Sequence, residues 1–383
     1  MIARLEIDLD AIRRNVAALG ALAAPARYAA VLKADAYGHG LVPVARALAQ
    51  DVAMFCVYRA DEALALRDAG IETPVLVLGP IEPHDVEAVV RAHATLTLWS
   101  TGAFARDLAR VTRTLGVRAE VHAKIDTGVT RLGLAPARAG AALASYAAED
   151  GFALRGAYTH LAAAEELESA YTREQLARFE RATANVRGLV RHAAASAAAM
   201  LYPDARLDLI RAGIATYGLW PSDATRAAVG RSLVLEPALA WRTSLVVVRD
   251  VDAGQSVGYG CSYVTTRPSR IGVLPIGYAE GVPRSLSSAG VALVRGTRVP
   301  FVGRVCMNMA FVDVTEVPHV ATGDAVTLVG RDGDDAIDAN ELASRAQTIG
   351  YELVARLPST IPRVYVERDA NVAIASATSM VPS

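Results

Sequence analysis

The sequence predicts an α/β chain: a (β/α)8 TIM barrel followed by a mostly β C-terminal domain. Eight short apolar runs, near residues 28–33, 53–57, 74–78, 94–98, 118–125, 153–159, 188–193 and 207–210, alternate with Ala-rich segments whose apolar spacing is helical. That alternation is the rhythm of strand and crossover helix in a parallel barrel. A doubly wound open sheet is the rival, but no G-x-G-x-x-G follows the first run. From about Leu233 the texture changes to alternating β-branched residues and turn glycines, which reads as β structure. The expected domains are therefore 1–232 and 233–383.

Taken in order, a short first strand precedes a helix over Leu9–Leu22, which Asp8 or Asp10 can cap. The eight strand–helix units follow. In the second domain, Leu245–Val248, Ile271–Leu274, Val299–Val302 and Ala325–Leu328 read as strands. A helix is expected over Asp338–Thr348, with Asp338 as its cap and Glu341 at capping-box distance. The last dozen or so residues, ending in Ala375–Ser379, read as frayed. No low-complexity linker separates the domains, so they are expected to pack together.

The chain has 383 residues, 52% of them hydrophobic and 21% charged, with a formal net charge of −1. This balance excludes an electrostatic bias toward nucleic acid or anionic membrane. The start lacks a signal peptide's apolar core and no apolar run reaches membrane-spanning length, so a cytoplasmic protein is expected. Cys56, Cys261 and Cys306 are odd in number and far apart, which predicts reduced thiols and neither a disulfide framework nor a metal ribbon.

The stretch with most chemistry is Val31–Gly40, where Lys33 ends an apolar run and Tyr37, Gly38, His39 and Gly40 follow. A partly desolvated lysine loses affinity for its proton and can form an imine with an aldehyde such as pyridoxal phosphate. Taken alone, such a lysine is more often a solvated or salt-bridged strand end. In a barrel, however, active sites lie at the C-terminal ends of the strands. Lys124, Asp126 and Arg131 follow the fifth run, His160 closes the sixth, Ser196 follows the seventh, and Arg211 and Gly213 follow the eighth. Any one of them alone reads as a core histidine or a surface ion pair, but a set drawn to one rim is harder to dismiss.

With these residues in view, the chain resembles the alanine racemases over nearly its full length. The resemblance rests on the Lys33 segment and on Asp126–Gly133, Tyr158–His160, Arg211–Ile214 and Gly258–Gly260. Further along, Pro275–Gly281, Gly303–Met307, Tyr351–Glu352 and Pro362–Tyr365 continue it in order. It implies pyridoxal 5'-phosphate as cofactor, a small amino acid as substrate, and a homodimer with composite active sites. By the same resemblance Lys33 and Tyr259 of the second subunit are the two bases, Arg211 faces the ring nitrogen and His160 lies between that arginine and the tyrosine. Tyr37, Ser196, Gly213, Ile214 and Tyr351 would cradle the phosphate. Arg131 would meet the cofactor's phenolic oxygen and the substrate carboxylate, and Lys124 matches a position often carbamylated. Tyr278 and Met307 would narrow the substrate pocket, with Arg284 and Arg304 at its entrance. The implied setting is D-alanine supply for peptidoglycan.

The chain also departs from the pattern. Asn308 replaces the Asp common after the Cys–Met pair, and Ala195 replaces the Asn common before the phosphate-binding serine. A racemase for another small amino acid, such as serine, therefore stands as an alternative. A pyridoxal-phosphate-binding homeostasis protein would lack the region containing Tyr259, and a decarboxylase of the same broad fold would carry other C-terminal motifs.

Overall fold

The computed structural model describes residues 2–366; the tail expected to fray lies outside them. The first strand, β1 (Ala3–Asp8), is followed by the helix Leu9–Ala23, whose first turn is capped by Asp8 Oδ1 accepting from the Ala11 amide at 2.8 Å. Eight strands then form one parallel sheet: β2 (Arg27–Val31), β3 (Met54–Val57), β4 (Val75–Val77), β5 (Thr95–Leu98), β6 (Ala119–Lys124), β7 (Phe152–Tyr158), β8 (Val190–His192) and β9 (Leu209–Ala212). Their order is β8-β7-β6-β5-β4-β3-β2-β9. The Asp208 amide donates to the Arg191 carbonyl at 3.0 Å and the Arg211 amide to that of Ala194 at 2.9 Å. These bonds tie the two ends of the sheet together and exclude the open doubly wound alternative. The central strands are buried along almost their whole length, as parallel strands covered on both faces must be.

The compact units are Arg13–Glu236 and a second made of Met1–Ile12 with the chain from Pro237 onward. The boundary thus differs from the expected 1–232 at its start, because β1 pairs outside the barrel. It lies antiparallel to β10 (Leu239–Ser244) and parallel to Arg363–Val366, with Leu5 and Ile7 fully buried. These strands belong to a seven-stranded sheet; Val247–Val251, Ser269–Leu274 and Ala310–Asp313 form a smaller antiparallel one. The expected strand Leu245–Val248 straddles the passage between them. The Leu245 amide donates to Asp324 of the larger sheet's neighbourhood at 2.9 Å, and the Val246 amide to Val273 of the smaller at 2.9 Å. The predicted helix runs over Ala339–Arg345, with Asp338 Oδ1 accepting from the Glu341 amide at 2.7 Å. The Glu341 side chain turns instead to Arg298, 2.5 Å away. All three cysteines are free. Among the described residues no helix is long and apolar enough to cross a membrane.

One irregularity shapes the barrel interior. Pairing of β6 with β7 slips from Val121 opposite Leu154 to His122 opposite Gly156, so Arg155 is the extra residue of a bulge. A Cβ at position 156 would stand 2.7 Å from both His122 Cε1 and the Val190 carbonyl oxygen. Glycine is required for that close approach. Gly156→Ala is expected to destabilise the protein by about 2 kcal/mol through overpacking, read as a lowered midpoint in urea titration at unchanged slope.

Candidate active site

Lys33, Lys124, His160, Ser196 and Arg211 all lie at or just beyond the C-terminal ends of their strands, so the closed barrel brings them to one rim. The local backbone after Lys33 is unusual. Ala34, Asp35, Ala36 and Tyr37 have φ of 56°, 54°, 52° and 54°, and Gly38 follows at 77°: one left-handed helical turn. Left-handed backbone costs roughly 1–2 kcal/mol for each non-glycine residue, so the turn needs external support. The Gly38 amide donates to Ala34 at 3.0 Å and the Gly40 amide to Asp35 at 2.9 Å. Two carboxylates help: Glu62 Oε1 accepts from the Ala34 amide at 2.7 Å, and Asp35 Oδ1 from the Leu41 amide at 2.8 Å. The Tyr37 ring packs 5.1 Å from that of Tyr217.

Burial lowers the proton affinity of the Lys33 amine, and the positive charges of Arg131 and Arg211 lower it further, against an opposing pull from Glu62 and Cys56. Lys124 is buried, and desolvation with Arg211 and Arg131 brings it down to about 8. Asp126 arranges the loop between them. Its Oδ1 accepts from the amides of Gly128, Val129 and Thr130 at 2.9–3.1 Å, and Oδ2 from that of Arg131 at 2.7 Å. Burial pushes this carboxyl up, but the four amides together hold it below its ordinary value. The rim therefore collects four cationic side chains around few carboxylates, an environment suited to an anionic ligand.

The Arg211 guanidinium is buried. It donates to the carbonyls of Thr159 at 2.8 Å and Ala193 at 3.1 Å, and lies 2.8 Å from His192 Nδ1. Arginine has only donors, so Nδ1 of His192 must accept and its proton sits on Nε2. That nitrogen lies 2.8 Å from His122 Nδ1, which accepts in turn, fixing the tautomer of both rings. Burial first, then Arg211, brings His122 down to about 4 and His192 well below its ordinary value. His160 is lowered to about 3 by the same causes, with Lys124, Arg131 and Lys33 adding to them. The Tyr158 ring stacks on His192 at 4.9 Å, with Arg211 and Lys124 over it at 5.0 and 5.3 Å.

Ser196 opens the short helix Ser196–Leu201. Its Oγ accepts from the amides of Gly213 at 3.0 Å and Ala215 at 3.4 Å, leaving its own O–H to donate outward. The Gly213 amide, expected to face a phosphate directly, is thus engaged by the serine. A Cβ at 213 would stand 2.5 Å from the Tyr37 hydroxyl, so only glycine lets that hydroxyl approach. Two hydroxyls and small residues here, with the desolvated Lys33 amine on the same rim, fit an aldehyde-bearing phosphate ester. At Ala195 no side chain caps the helix, where an asparagine would supply an amide.

Sequence reasoning missed His122, His192 and Gln175. Gln175 shares the buried face of helix Ala170–Thr183 with Thr172, Phe179 and Thr183. Its amide donates to Thr127 Oγ1 at 3.2 Å and the His160 carbonyl at 3.1 Å, while its oxygen accepts from Ala162 at 2.8 Å. It therefore pins the loops after β6 and β7. Its spacing of four from Phe179, which puts both on one face of the helix, was its only signal.

Tyr259, Tyr278, Met307 and Tyr351 belong to the second unit. Tyr259 is 72% exposed and Met307 57%. The turns carrying Tyr278 and Met307 are stitched together by Tyr278 N to Cys306 O at 3.0 Å and Ala279 N to Met307 O at 2.9 Å. Asn308 Nδ2 donates to Glu280 Oε1 at 2.8 Å, a bond that an ionised aspartate could not donate. Arg284 and Arg304 are exposed.

The buried neutral histidines make stability depend on acid. The His122 value in the fold, about 4, lies below the ordinary 6.5, so the unfolded chain binds the extra proton between these values. Its contribution is present above 6.5 and is lost as pH falls toward 4. His122→Gln should therefore narrow the difference in unfolding free energy between pH 7 and pH 5, measured by denaturant titration at each pH.

Residues 7–221 match the family described as alanine racemase, N-terminal domain, and residues 238–365 that described as alanine racemase, C-terminal domain. The chain is 43% identical over 366 residues to the alanine racemase of Symbiobacterium thermophilum, covering 94% of this chain and 96% of that protein. Among solved structures, the alanine racemase of Clostridium difficile 630 superposes with a TM-score of 0.90 at 33% identity over 96% of each chain. The alanine racemase from Bacillus anthracis with bound L-Ala-P gives 0.87 at 34% identity, over 96% of this chain and 95% of that one. On fold, on the full span of both domains and on sequence, the chain belongs to the alanine racemase family.

Proposed function

We propose that this protein interconverts L- and D-alanine with pyridoxal 5'-phosphate in a homodimer, supplying D-alanine for peptidoglycan in the cytoplasm. The observation that carries this reading is the Lys33 amine, desolvated at the rim of a parallel barrel beside Arg131 and Arg211. When bound, the cofactor supplies the electron sink that makes an amino acid's Cα proton removable. Lys33 would hold its aldehyde and, once released, move a proton at Cα on one face. Tyr259 of the partner subunit would serve the opposite face, and its exposure supports a role toward another chain.

Arg211 would face the ring nitrogen and donate a hydrogen bond without surrendering its proton. His160, neutral at working pH because of its low proton affinity, would pass hydrogen bonding from Arg211 toward the tyrosine. Ser196, Tyr37, Tyr351 and the Ile214 amide would hold the phosphate, with Gly213 leaving room for the Tyr37 hydroxyl. Arg131 would orient the substrate carboxylate. Lys124, at about 8, has enough neutral amine near physiological pH to take up carbon dioxide, and the carbamate would orient Arg131. Tyr278 and Met307 would favour a small side chain. Because Asn308 changes the charge beside Met307, serine is the second substrate to weigh.

Purified protein with pyridoxal phosphate is expected to form D-alanine from L-alanine faster than D-serine from L-serine, read by chiral chromatography. Lys33→Ala and Tyr259→Phe should each lose at least about a hundredfold in kcat, the scale of a positioned acid–base group. Serine preference would move the assignment to a sister racemase, and no turnover would end it. Arg211→Glu should raise transamination relative to racemisation; an unchanged ratio would refute the role given to Arg211.

A further inference from the structure

We infer that Glu62 is a positioning residue whose carboxylate clamps the left-handed turn that presents Lys33 and Tyr37. This rests on the reading of Lys33 as the cofactor lysine. Glu62 lies in the first turn of the helix Ala60–Asp68, directly after β3. Its Oε2 accepts from the amides of Tyr58 at 2.8 Å and Arg59 at 3.1 Å, while Oε1 accepts from that of Ala34 at 2.7 Å. A single carboxylate thus ties the loop after β2 to the loop after β3.

The bond to Ala34 acts where the chain leaves Lys33. On the upstream side, the Leu32 amide donates to the Cys56 carbonyl at 2.8 Å, which fixes the end of β2. On the downstream side, the Ala34 amide belongs to the peptide that follows Lys33, so holding it sets the direction in which the lysine leaves the strand. Four consecutive non-glycine residues of the turn have positive φ, a conformation that persists only where surrounding bonds over-determine it. Asp35 secures the far end of the turn through Leu41, and Glu62 secures the near end. The near end needs two acceptor oxygens. A glutamine would offer one, and its NH2 would face an N–H of either Ala34 or Tyr58.

The clamp is tested with the full-length protein as wild type, Glu62→Gln, and Glu62→Gln combined with Ala34→Gly. Ala34 is exposed, and glycine takes positive φ without a Cβ penalty, so the second change lowers the demand on the clamp without opening the core. Pyridoxal phosphate binding is followed by the near-visible absorbance of the bound cofactor and by mass spectrometry after borohydride fixation at Lys33. Thermal unfolding is followed on the cofactor-free proteins. Glu62→Gln should bind the cofactor about tenfold more weakly, the scale of one hydrogen bond to a charged group, and unfold a few degrees lower. The added Ala34→Gly should recover most of both. Equal binding and unfolding for wild type and Glu62→Gln overturn the inference. Recovery of unfolding without recovery of binding also overturns it, because Glu62 would then act on Lys33 through charge and not through the turn. A wild type that takes up no pyridoxal phosphate ends the cofactor reading instead, and the clamp is then decided by the unfolding comparison alone.

Discussion

A buried guanidinium is tolerable only if hydrogen-bond acceptors surround it. Arg211 meets that condition with the carbonyls of Thr159 and Ala193 and with His192, and much of the interior follows from it. Because Arg211 can only donate, His192 and then His122 are each held in one tautomer. Burial first, and then the Arg211 charge, keeps those rings and His160 neutral. The bulge at Arg155 and the absence of a side chain at Gly156 provide the room that His122 occupies. One fixed charge thereby orders a chain of polar groups across three strands.

The rim works on the opposite principle. There the cations are several, and the supports are carboxylates that accept backbone amides. Asp126 binds four amides of its own loop; Glu62 and Asp35 bind amides around the left-handed turn. These negative charges fold loops. The strained turn, Ala34 to Tyr37, is the cost of carrying the chain from Lys33 to the buried Tyr37 within four residues.

Much of this was legible in the sequence. The eight apolar runs named the eight barrel strands, and the residues ending them share one rim because parallel strands all point the same way. Asp338 was readable as a cap, and Asp8 as one of two candidates with Asp10, since a short acidic side chain before an apolar-periodic run has that local use. What escaped reading was set by tertiary contact. Nothing local in Lys-Ala-Asp-Ala-Tyr specifies left-handed backbone, which is imposed from Glu62, Asp35 and the packing of Tyr37. His122 and His192 sit inside strands, where a histidine looks like any core residue until its partner across the barrel is known. The strand expected at Leu245–Val248 failed because a continuous apolar run does not reveal that the chain changes sheets within it.

The placement of β1 carries a consequence for how the molecule is made. This strand precedes every barrel strand in the chain, yet its two neighbours are Leu239–Ser244 and Arg363–Val366. The barrel strands are therefore all translated while Leu5 and Ile7 still have no sheet to enter. One of β1's edges waits for β10 and the other for nearly the last described residues. The second unit encloses the first along the chain, so its sheet closes only after Val366 has been made. Until then a short apolar strand with two open edges must be kept from foreign pairing, and the alternating Arg4, Glu6 and Asp8 in β1 place charge along that strand.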